Sequence, residues 1–75
     1  MQIKVFTSRS CGPCATYKQN LEGLDGVEYI DVDDPANISE AISYGVMQVP
    51  TTVFENGEVW TGVRARGDVE AVLGL

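Results

Sequence analysis

Apolar and polar residues alternate at the start of the chain and then give way to a helical repeat, an exchange that recurs along its length. Ile3 and Val5 fall on one face of a predicted strand over residues 2–6, with Gln2 and Lys4 on the other. Cys14, Tyr17, Leu21 and Leu24 then recur at helical spacing, predicting a helix over residues 13–22 that Gly23 and Gly26 end. A second strand is predicted over residues 27–32. Asp34 followed by Pro35 reads as a helix start, with the aspartate as N-cap, and a helix to about residue 44 is expected to bury Ile38, Ala41 and Ile42 before Gly45. Residues 51–55 form a third predicted strand, and Asn56-Gly57 is a strong hairpin signal that makes residues 58–61 an antiparallel fourth. After a loop at residues 62–66, Asp68 is expected to cap a short helix that turns Val69, Val72 and Leu73 inward. The order is β-α-β-α-β-β-α. A strand, a crossover helix and a strand make a parallel pair, and the hairpin completes a mixed four-stranded sheet with flanking helices.

Length and charge narrow the classes. The 75 residues, 1–75, make a single domain near the lower size limit for a core without staples. Eleven acids against five bases give a net charge of −6, which argues against nucleic acid and anionic membranes and favours a basic docking partner. No stretch approaches a transmembrane length, and the start of the chain lacks a basic, apolar leader. These features predict a cytoplasmic protein. A monomer is expected.

The chemistry concentrates at Cys11-Gly12-Pro13-Cys14, which holds both cysteines. Pro13 suits the first turn of a helix, where its missing N–H removes no bond. The pair therefore sits where a strand's exit loop becomes a helix, and the unpaired amides there favour a thiolate. Cys11 is read as the attacking nucleophile in the loop, and Cys14, one turn in, as the resolving thiol. Other readings stay open. A structural disulfide closing so short a loop would staple almost nothing. A zinc or iron–sulfur site needs about four ligands, and the chain has two cysteines and no histidine; it would need ligands from a second copy. The acidic loop at Asp33-Asp34 has too few regularly spaced oxygens for calcium and is better explained by capping. Tyr17 is expected to fill the core.

This order, with C-x-x-C at the first strand–helix junction and Val49-Pro50 opening the third strand, resembles the thioredoxin fold over the whole chain. The resemblance implies a cis Val49–Pro50 bond, and a loop there that faces the dithiol and pairs with a substrate chain. Gly12, Pro13, Val49 and Pro50 are accordingly expected to dock the target. Within the superfamily the chain is most similar to the glutaredoxin-like NrdH-redoxins. Cys11-Gly12-Pro13-Cys14 is the dithiol typical of thioredoxins, and Lys18 matches a basic residue common in glutaredoxin helices. Trp60-Thr61-Gly62-Val63-Arg64 resembles the W-S-G-F-R signature of NrdH-redoxins, in which Trp60 and Arg64 would shape the docking surface. Val63 replaces its phenylalanine, and Ala65 stands where that family usually has proline. Ser10 and Val5 occupy the places where thioredoxins usually carry a tryptophan and a buried aspartate. With no such aspartate, Cys14 is expected to give its proton to water or a partner group. Residues 63–68 lack the Gly-Gly that holds glutathione in glutaredoxins.

Arg9, Lys18, Arg64 and Arg66 are expected near the dithiol, Arg9 and Lys18 to stabilise the Cys11 thiolate, against the alternative of scattered solubilising charge. The resemblance implies a dithiol–disulfide oxidoreductase acting as a redox carrier with no bound cofactor and no metal. Its partners would be a disulfide-containing protein, with ribonucleotide reductase implied, and thioredoxin reductase as electron source. A glutathione-dependent glutaredoxin, a metal or iron–sulfur carrier, and a docking adaptor that does not use the dithiol are the competing readings.

Overall fold

The fold comes from a computed structural model that describes residues 2–74. Strand β1 (Ile3–Thr7) leads through a short loop into α1 (Gly12–Asn20), and β2 (Val27–Asp31) follows. A 3₁₀ turn (Pro35–Asn37) precedes α2 (Ile38–Ser43); β3 (Thr51–Phe54), β4 (Val59–Thr61) and α3 (Arg66–Leu73) complete the chain. The sheet runs β2-β1-β3-β4. β1 is parallel to β2 and antiparallel to β3, and β3 is antiparallel to β4. This is the mixed four-stranded sheet that the periodicity predicts. No helix among the described residues is long and apolar enough to cross a membrane.

Each face of the sheet carries its own core. On one, Ile3, Val5, Tyr17, Leu21, Phe54 and Val69 form a buried cluster that joins α1 and α3 to the strands. On the other, Phe6, Ile30, Ala41 and Val53 pack with Val32, Val46 and Val49 under α2. The two central strands are therefore covered on both sides, and all four residues of β3, Thr51 and Thr52 among them, are buried. The stripe Cys14, Tyr17, Leu21 is buried as its spacing predicts, with Leu24 packed beside it.

Three local expectations are corrected. The second helical segment is not one α-helix from Pro35. Asp34 does cap it, accepting from the Ala36 amide at 3.0 Å, but the first turn is 3₁₀ and α2 is six residues long. Ile38 and Ile42 are not buried; they are 47% and 71% exposed, and only Ala41 lies inside. The phase of α2 is set by other anchors. Asn37 Nδ2 donates to the Asp31 carbonyl at 2.9 Å, Glu40 pairs with Lys4, and the Tyr44 ring lies 5.9 Å from that of Phe6. Those residues lie on the same side of the helix as Ala41 and turn the isoleucines outward. Asp68 is not a cap either. α3 begins at Arg66 after Ala65, whose side chain makes no capping bond, and Asp68 sits in the first turn where its charge suits the helix dipole.

The hairpin forms at Asn56-Gly57 with shorter strands than predicted. The Gly57 amide donates to the Phe54 carbonyl at 3.0 Å and the Phe54 amide to the Glu58 carbonyl at 2.9 Å, so the loop has three residues. Gly57 has φ of 93° while Asn56 stays at negative φ, the geometry of a type I turn closed by a left-handed glycine.

Candidate functional site

The end of β1 and the start of β3 are adjacent in the sheet, Phe6 pairing with Thr51. The loop after β1 and the loop before β3 therefore meet at one end of the molecule, and the cysteines lie there. Cys11 is the N-cap of α1, with extended backbone at φ −95° and ψ 106°, one residue earlier than the predicted helix start implies. Its Sγ accepts from the Cys14 amide at 3.1 Å. Gly12 and Pro13 fill the first turn, where Pro13 removes no helical bond. The two cysteines are joined as a disulfide with Cα atoms 5.3 Å apart. Cys11 is partly exposed, whereas Cys14 is 2% exposed, so Cys11 is the more accessible of the two sulfurs.

Facing them is the loop of Val49 and Pro50, joined by a cis peptide bond, as the resemblance implies. The Val49 carbonyl lies 3.7 Å from Cys11 Sγ. In the disulfide that sulfur carries no hydrogen and the approach is a contact; in the dithiol the same pair can form an S–H···O bond. The Pro50 carbonyl accepts from the Gly62 amide at 2.8 Å, and Thr51 Oγ1 donates to the Gln48 carbonyl, so the loop is held at both ends. Beside it runs a groove of about 260 Å³ lined by Ser8, Val32, Ala41, Val46, Met47, Gln48 and Val49. Met47 stands at its edge, 95% exposed.

The basic residues divide. Arg9 is committed to Asp31, with Nε donating to its carboxylate at 2.9 Å. Lys18 lies over the Tyr29 ring at 5.2 Å, and Arg64 over Trp60 at 5.2 Å, while the Arg64 carbonyl accepts from Asn20 Nδ2. Trp60 packs edge-on against Phe54 at 4.7 Å. Arg66 is not near the dithiol: it bonds to the Glu22 carbonyl and to Glu70, and lines a cavity with Gln2 and residues 23–26 at the opposite end of β1.

Beneath the site, Tyr17 is fully buried with its hydroxyl 2.7 Å from Thr52 Oγ1. Burial pushes the phenol above its ordinary pKa, against a smaller opposing effect of the Thr52 bond. Thr52 pairs with Val5 in the sheet, so polar hydroxyls stand across from the position where no aspartate is present. Tyr17 fills the core as expected, and nothing in the sequence pattern points to Thr52 as its partner.

Asp31 and Asp33 bond to the loop that carries Cys11. Asp31-Val32-Asp33 sets two carboxylates at a strand's end, but nothing in that pattern names Ser8 and Arg9 as their partners. Among the described residues, no three His, Cys, Asp or Glu side chains come together in a metal-binding group, and the cysteines themselves offer two sulfurs.

The comparisons with known proteins agree with this geometry. A family profile described as a thioredoxin domain matches residues 1–74. A thioredoxin from Methanocaldococcus jannaschii is 38% identical over 66 residues, covering 79% of this chain and 74% of the relative. The glutaredoxin-like NrdH-redoxin from Escherichia coli, described as having a thioredoxin-like activity profile, superposes with a TM-score of 0.68 at 31% identity, over 85% of this chain and 86% of that one. The thioredoxin-like protein BC3987 superposes with a TM-score of 0.70 at 28% identity, over 97% of each chain. The fold and the Cys11–Cys14 pair support a small dithiol–disulfide oxidoreductase that exchanges disulfides with protein partners. The chain belongs to the thioredoxin domain family.

Proposed function

We propose that the protein is a cytoplasmic dithiol carrier of the NrdH-redoxin kind, reduced by thioredoxin reductase and passing electrons to a ribonucleotide reductase. The observation that carries the redox reading is the placement of Cys11 Sγ at the N-terminus of α1, on the Cys14 amide, with Cys14 buried behind it. An amide donor and the helix end favour the thiolate at Cys11, and the nucleophile of disulfide exchange is a thiolate.

In the reduced form the Cys11 thiolate attacks one sulfur of the target's disulfide. That S–S bond breaks, its second sulfur leaves as a thiolate that water protonates, and Cys11 becomes part of a mixed disulfide. Cys14 then gives up its proton and attacks Cys11 Sγ, releasing the first target sulfur as a thiolate. Two electrons have passed to the target, and the carrier is left as the Cys11–Cys14 disulfide. A reductase supplied with NADPH restores the dithiol.

Similarity to the NrdH-redoxin and the Trp60–Arg64 segment support the choice of donor, as does the missing Gly-Gly for glutathione. The test is NADPH oxidation coupled to disulfide reduction, run with the host's thioredoxin reductase and, separately, with glutathione and glutathione reductase, at matched ionic strength because the chain is acidic. Faster turnover with the thioredoxin reductase is expected. Faster turnover with glutathione would make this a glutaredoxin instead, and a host ribonucleotide reductase that the dithiol fails to reduce would remove the proposed target.

A further inference from the structure

The loop that carries Cys11 is tied to the end of β2 by carboxylates to which the redox mechanism gives no part. Ser8 Oγ donates to Asp33 Oδ2 at 2.8 Å, and the Arg9 amide donates to the same oxygen at 3.1 Å. Behind it, Asp31 accepts from Arg9 Nε at 2.9 Å and from the Asp33 amide at 2.8 Å. Ser8 passes the tie onward, since its carbonyl accepts from the Cys11 amide at 3.2 Å. Whatever fixes Ser8 therefore sets how the chain enters α1, and Cys11 is the residue at that entry.

We propose that Asp33 is a positioning residue for the Cys11 nucleophile, its carboxylate holding Ser8 and Arg9 so that Cys11 Sγ stays at the N-terminus of α1. This rests on the reading of Cys11 as the attacking thiolate. Charge alone works the other way. A carboxylate close to a thiolate disfavours it, and Asp31 and Asp34 stand beside Asp33 with Arg9 and Lys18 as the nearby cations. Geometry and charge thus predict shifts of opposite sign when Asp33 is altered, which makes them separable.

The experiment measures the pH dependence of Cys11 alkylation by iodoacetamide in the reduced, full-length protein. Asp33→Ala removes both bonds, frees the loop, and is expected to raise the apparent pKa of Cys11 by about one unit, slowing alkylation about tenfold below that pKa. Asp33→Asn keeps an oxygen for the same two bonds and is expected to hold the pKa at or below that of the unaltered protein. Ser8→Ala leaves the charge untouched and should produce a smaller rise. An unchanged or lowered pKa in Asp33→Ala, or equal shifts in the alanine and asparagine variants, overturns the proposal. Should Asp33→Ala fail to fold, Ser8→Ala decides, and no rise there overturns it. The underlying reading fails separately, if mass mapping of the unaltered protein places the first label on Cys14.

Discussion

The hydroxyl of Tyr17 meets that of Thr52 at 2.7 Å, with neither side chain open to solvent. The pair joins α1 to β3 inside the core, so removing one partner strands the other. Tyr17→Phe should destabilise the fold by about 1–3 kcal/mol, the penalty for a buried hydroxyl left without a partner. Tyr17→Phe combined with Thr52→Val should cost less than the sum of the single changes. Denaturant titration of the four proteins checks both statements.

The division of labour between the cysteines is tested by substitution. Cys11 should alkylate faster than Cys14 and titrate below the roughly 8.5 of a free cysteine. Cys14→Ser is expected to accumulate a mixed disulfide with the target, visible by mass, while Cys11→Ser should be inactive. Preferential labelling of Cys14 would reverse the roles.

Acid should loosen the clasp at Asp31. The Asp33 amide and, after it, the Arg9 guanidinium hold the Asp31 carboxyl below the ordinary carboxylate range. A carboxyl whose folded pKa is lowered stabilises the fold above its unfolded pKa of about 3.9, and that contribution disappears as pH falls through the folded value. Stability measured from about pH 5 downward should therefore decline less steeply in Asp31→Asn than in the unaltered protein. Equal slopes would show that the ion pair has no such effect.

Gly62 has φ of 85° and gives its amide to the Pro50 carbonyl. A Cβ there would meet nothing within 4 Å, so the cost of a side chain is purely conformational. Gly62→Ala should lower stability by about 1–2 kcal/mol, and Gly62→Asn by less, because asparagine tolerates the left-handed region. A shift in denaturant midpoint at constant slope is the expected signature.

Much of this is legible in the sequence. Alternation in residues 3–5, helical spacing from Cys14 to Leu21, and Asn56-Gly57 each reflect a local preference that tertiary packing reinforces. At several of the misread positions a contact distant in sequence outweighs the local pattern. Ile38 and Ile42 have helical spacing, yet Glu40 reaches Lys4 and Tyr44 reaches Phe6, and these partners turn the helix. At the site, the dithiol and its helix were readable because both arise within a few residues. The ties from Asp31 and Asp33 to Ser8 and Arg9 span more than twenty residues, and no periodicity reports them. Charge alone suggests Arg66 near the dithiol, whereas the path of the chain takes it to the other end.

The sheet order has a dynamic consequence. Cys11 follows β1 and Pro50 precedes β3, the two strands with neighbours on both sides, while β2 and β4 form the rims. Amide groups in β1 and β3 can exchange with solvent hydrogen only after a neighbouring strand departs, so they belong to the slowest-opening part of the molecule. The rims can fray while the central pair stays closed. Cys11 and the Val49–Pro50 backbone thus hang from adjacent central strands, whereas the bonds that hold their loops, to Asp33 after β2 and from Gly62 after β4, come from the rims. Fraying at an edge therefore releases a loop before it parts the strands that carry it.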